Sequence, residues 1–110
     1  MKIELNNDTE TMLESRFPSL RKAADVVYNI SGVSLADMRR KSRLAILVEA
    51  RAMFFMLCIS KVNPRYYIAS YLGYDHSTST NWISSFSAKI DSDTHFKNMW
   101  LRAKEEFSKL

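Results

Sequence analysis

The stretch from Leu44 to Ile59 limits what this chain can fold into more than any other part of it. Apart from Glu49 and Arg51 it is apolar throughout: Leu44 to Val48, then Ala50, then Ala52-Met53-Phe54-Phe55-Met56-Leu57-Cys58-Ile59. Wound into a helix, these residues cover most of its circumference, so other elements must surround it. The stretch is too short and too charged to span a membrane. It predicts the central buried helix of a small bundle, with its Met and Phe side chains as core filler rather than a cofactor pocket. Cys58 is the only cysteine and belongs to the same core, which excludes an internal disulfide.

The rest of the chain offers helices to do the surrounding. Two Gly and two Pro in 110 residues leave too little turn material for an all-β fold with many hairpins, and the length suits one domain. Met1 to Asn7 shows no periodicity and reads as an arm. Asp8 or Thr9 opens a short helix to Glu14-Ser15, with Met12 and Leu13 as its apolar contribution and Pro18 as its break. Residues 1–18 thus read as arm and short helix, and 19–110 as the domain proper. From Ser19 a stronger helix sets Leu20, Ala23, Ala24, Val27 and Ile30 or Ser31 on one face and ends at Gly32. Ser34-Leu35-Ala36-Asp37 resembles a capping box with Asp in place of Glu or Gln, opening a short helix into Arg39-Arg40-Lys41-Ser42-Arg43.

Beyond the apolar stretch, Asn63-Pro64 reads as a helix start, with Tyr66 to Leu72 in the helix and Gly73 as its stop. A second helix is expected over 75–90, opened by Asp75 or His76. Ser79, Ile83, Phe86 and Ile90 fall on one face beside Trp82, and Ser77, Thr78, Asn81, Ser84 and Ser85 on the other. Two short helices joined by a Gly-containing turn are what a helix-turn-helix requires. Asp91 to Thr94 caps a last helix, whose stripe is Phe96, Met99, Trp100, Ala103, Phe107 and Leu110. The start of the chain has no apolar run of signal-peptide length, so a cytoplasmic, nucleoid-associated protein without a membrane partner is expected.

Charge is unevenly placed. Residues 1–15 carry one Lys and four acids, residues 16–65 ten Lys and Arg against three acids, and residues 66–110 five of each. A basic block in a chain of net charge +4 points to a polyanion-binding face. Catalysis has little support. Asp75-His76-Ser77 names the members of a hydrolase triad, but neighbours opening one helix cannot reach its geometry. His76, His95 and Cys58 lack metal-ligand spacing, and Gly32 and Gly73 cannot form a phosphate-cradling loop. No enzyme activity, metal, cofactor or nucleotide is expected.

Leu72-Gly73-Tyr74-Asp75-His76-Ser77-Thr78-Ser79 resembles the signature of the C-terminal DNA-binding domain of the bacterial replication initiator DnaA, roughly G-G-R-D-H-[ST]-T-V. The run Asp37-Met38-Arg39-Arg40-Lys41-Ser42-Arg43, followed by Val48-Glu49-Ala50-Arg51-Ala52-Met53-Phe54-Phe55, is similar to the same family's upstream block. The likeness covers about residues 20–90. Leu72 stands where the family has its first Gly, Tyr74 where it has Arg, Ser79 where it has an apolar residue, and Arg65 where it has Pro. The family's ATPase module has no counterpart here.

The resemblance implies a small all-α bundle containing a helix-turn-helix that binds double-stranded DNA. Asp75, His76, Ser77 and Thr78 would enter the major groove. These side chains also suit base edges by their own chemistry, and a helix start favours a nearby phosphate. Arg43 would take the minor-groove position, where an Arg suits narrow A·T-rich DNA. Arg39, Arg40, Lys41 and Arg65, with Arg51 and Lys61, would meet phosphates. The expected role is regulation of replication or transcription at DnaA-box-like sites without ATPase activity, with self-association or a replication or transcription protein as further partners. The alternative is a helical protein-interaction module anchored by Tyr74, Trp82 and Trp100.

Overall fold

A computed structural model describes residues 5–109 of the chain. They form an all-α bundle of α1 (Asn7–Arg16), α2 (Pro18–Ser31), α3 (Leu35–Met38), α4 (Ala45–Cys58), α5 (Tyr66–Tyr71), α6 (Ser79–Ile90) and α7 (Thr94–Ser108). A 3₁₀ turn, His76–Thr78, precedes α6. No helix among the described residues is long and apolar enough to cross a membrane.

The apolar stretch is the central helix, as its pattern predicts. Leu47, Ala50, Ala52, Met53, Phe54, Phe55, Leu57 and Cys58 of α4 are all buried, and α2, α3, α5, α6 and α7 pack around it. Phe54 stacks on Tyr71 of α5, and Phe55 meets Trp82 of α6 edge-on, both with ring centroids 5.9 Å apart. Glu49 accepts a 2.8 Å ion pair from Lys89 of α6. Burial pushes the Cys58 thiol far above its ordinary range, as befits a core side chain.

Local chemistry sets most of the boundaries. Asn6 Oδ1 accepts from the Thr9 amide and caps α1, so the cap lies slightly ahead of the expected Asp8 or Thr9. Pro18 does not merely break α1: it is the first residue of α2, where its missing N–H costs nothing. Gly32 and Gly73 both adopt positive φ, 78° and 76°, and end α2 and the α5 segment as expected. Ser34 caps α3 through the Asp37 amide, and Asp93 caps α7 through the Phe96 amide.

Two expectations need correction. The short helix opened by Ser34 stops at Met38, so the basic residues 39–43 lie in a loop. Asn63-Pro64 does not start a helix. Both residues belong to the turn after α4, around a cis peptide bond and next to the buried Val62, and α5 begins at Tyr66.

The segment before residue 18 is more than an appendage. Leu13 of α1 is fully buried. Glu10 pairs with Arg39 at 3.2 Å, and Glu14 accepts from the Tyr71 hydroxyl. Residues 1–4 of the expected arm and Leu110 of the last stripe lie outside the described residues.

Candidate nucleic-acid interface

The basic loop and the start of α6 converge although some thirty residues separate them in sequence. Lys41 and Arg43 of the loop line one shallow cleft of about 510 Å³ with Tyr74, Thr78, Asn81 and Trp82. A buried arginine holds the loop's shape. Arg51 of α4 is 3% exposed, and its guanidinium donates to the carbonyls of Met38 and Ser42, both at 2.8 Å, and to that of Arg40. A rigid planar fork suits three carbonyls converging from one loop. Burial lowers the Arg51 pKa, with Tyr74 opposing the shift, but an arginine remains charged in this setting. Arg51 therefore leaves the expected phosphate-binding set. Its role is to fix the loop from below.

Arg39 is largely committed in the same way. Its Nε donates to the Tyr71 carbonyl at 2.9 Å, its Nη1 pairs with Glu10, and its guanidinium lies 4.9 Å from the Tyr71 ring centroid. The arginine thus ties the loop to α5 and α1, and a phosphate role would have to compete with those contacts.

Tyr74 joins the loop to the turn. Its hydroxyl donates to the Arg40 carbonyl at 2.8 Å, and the Lys41 ammonium sits 3.6 Å from its ring centroid while donating to the Gly73 carbonyl. The ring also meets Trp82 edge-on, with centroids 5.5 Å apart. These contacts bind loop, turn and α6 into one unit. They also occupy two of the aromatics considered as interface anchors, since Trp82 is only 4% exposed. Trp82 cannot anchor a partner in this fold.

The predicted reading residues open onto solvent beside this unit. His76 and Ser77 are exposed, and Asp75 and Thr78 are half-buried. Asp75 Oδ1 accepts from the Ser77 amide at 3.2 Å, the cap expected of it, but the turn it opens is 3₁₀ and α6 starts only at Ser79. Hydroxyl side chains compete for backbone groups and disfavour a regular helix interior, which explains the delay. Ser79 shows that competition: it is buried, and its hydroxyl donates to the His76 carbonyl at 2.6 Å. This bond satisfies the hydroxyl of a serine that the fold buries.

The remaining cations divide. Arg43, Arg40 and Lys41 are exposed on the loop, Arg40 with a 3.7 Å pairing to Asp37. Arg65 is exposed at the head of α5, next to Tyr66, whose ring meets the His76 imidazole edge-on. Lys61 lies elsewhere. It follows the C-terminal end of α4, whereas the basic loop precedes its N-terminal end, and a helix of this length separates its ends by about 21 Å. Asn81 is the residue that sequence reasoning left out of the site. Its signal was there: it lies three residues after Thr78 on the polar side of the same segment.

No family model, curated protein or solved structure matches the chain.

Proposed function

We propose that this protein binds double-stranded DNA sequence-specifically, with α5, the Gly73 turn and α6 serving as a helix-turn-helix. The observation that carries the reading is the shared cleft: the loop cations Lys41 and Arg43 stand beside Thr78 and Asn81 at the start of α6. In this reading Asp75, His76, Ser77 and Thr78 meet base edges in the major groove. Arg43 reaches the adjacent minor groove, and Arg40, Lys41 and Arg65 meet phosphates. The likeness of Gly73 and Asp75-His76-Ser77-Thr78 to the DnaA signature supports the same assignment.

The biological use that follows is occupancy of DnaA-box-like sites, regulating replication or transcription in competition with the initiator. Selection of bound duplexes from a random pool tests the reading. Enrichment of one motif by the protein, and its loss in His76→Ala, supports it. A pool that stays random through successive rounds rules it out.

A further inference from the structure

At the far end of α4 lies a groove of about 440 Å³ formed by α2, α4 and α7. Its floor is apolar: Met56, Trp100 and Phe107 are each half-buried there. The Trp100 ring meets Phe86 edge-on, with centroids 4.8 Å apart. The charged residues that line the groove are Lys22, Lys61 and Lys104, all exposed and all of one sign. Lys104 lies 5.8 Å from the Trp100 ring centroid.

We propose that this groove docks an acidic amphipathic helix of a partner protein. An apolar floor inside a ring of single-sign charge is the complement of a helix with apolar anchors at i, i+3 and i+4 and carboxylates beside them. The floor of Met56, Leu57, Trp100 and Phe107 favours such a helix over a phosphate backbone, because it offers apolar area that a phosphate chain cannot use. The lysine stems extend that area while their ammonium groups meet the carboxylates. The groove lies across the length of α4 from the basic loop, so the surface is separate from the proposed DNA face and does not depend on it.

The test is a fluorescence-anisotropy titration of the full chain with a labelled synthetic peptide carrying Leu and Phe at helical spacing and Asp and Glu elsewhere. Two controls accompany it: the same peptide with its acids changed to Gln, and polyglutamate. The acidic amphipathic peptide should bind tightest, and Lys22→Gln, Lys61→Gln and Lys104→Gln together should weaken it ~10-fold or more. These lysines are exposed, so the variant should unfold at the wild-type urea midpoint. Any of these results would overturn the proposal: no binding of the peptide, equal binding of polyglutamate, no effect of the triple variant, or displacement of the peptide by a random duplex. Self-association that is lost in the triple variant would assign the groove to a second copy of the chain and also overturn it.

Discussion

The Tyr74 hydroxyl donates to the Arg40 carbonyl across 34 residues of sequence. With Lys41 and Trp82 both against its ring, Tyr74 is the strut between the basic loop and α6. Tyr74→Phe removes one hydrogen bond and keeps the ring, and should cost about 1 kcal/mol in urea unfolding. Tyr74→Ala also loses the contacts with Lys41 and Trp82, and should cost about 2–3 kcal/mol. Duplex affinity should fall with Tyr74→Phe but not with a core variant of equal stability loss.

Arg51 should prove more important for the loop than any exposed cation. Arg51→Met leaves the Met38, Arg40 and Ser42 carbonyls without their donor, and should destabilise the protein by on the order of 3 kcal/mol. Arg51→Lys keeps the charge but cannot fork to three carbonyls, so it should recover less than half of that loss. Urea unfolding measures both, and hydrogen exchange over residues 38–44 should rise first.

Asp75 both caps a turn and stands among the proposed reading residues, and substitutions separate the two. Asp75→Asn keeps a side-chain oxygen for the Ser77 amide and should retain stability within about 0.5 kcal/mol, whereas Asp75→Ala should lose about 1 kcal/mol. Both should change the selected DNA sequence, because Asn presents a donor where Asp presents only acceptors. A selected motif unchanged in Asp75→Asn would leave Asp75 with the cap alone.

His76 and Arg65 are both exposed but should behave differently on DNA. His76→Ala should relax base preference by about 1–3 kcal/mol of discrimination while leaving the salt dependence alone. Arg65→Ala should weaken all duplexes about equally and reduce the salt slope by about 1. Titrations of matched and scrambled duplexes at several salt concentrations resolve the two effects.

The bundle was legible because its signals are local. Gly32 and Gly73 ended helices where their lack of Cβ allows positive φ, and Ser34 and Asp93 capped where a short acceptor precedes a helix. The all-round apolar character of Leu44 to Ile59 placed α4 at the centre. Asn63-Pro64 misled because capping preference is a local bias, and there it yields to the turn that buries Val62. In the site, neither the convergence of loop and α6 nor the division of labour among the cations can be read from local sequence, because both depend on tertiary contacts. Arg51 looked like one more member of a basic block. Its place in the middle of an apolar helix was the overlooked sign that its guanidinium must find acceptors inside. The bridging role of Tyr74 is not legible in the sequence because its partners, Arg40 and Trp82, come together only in the folded chain.

The central claim is that the cleft between the basic loop and α6 reads duplex DNA. A fluorescence titration of the protein against a duplex carrying a DnaA-type box and against its scrambled counterpart, each at two salt concentrations, tests it most directly. The account predicts tighter binding to the box duplex and an affinity that falls as salt rises. Equal affinity for the two duplexes would contradict sequence-specific reading, and no binding to either would contradict the nucleic-acid interface itself.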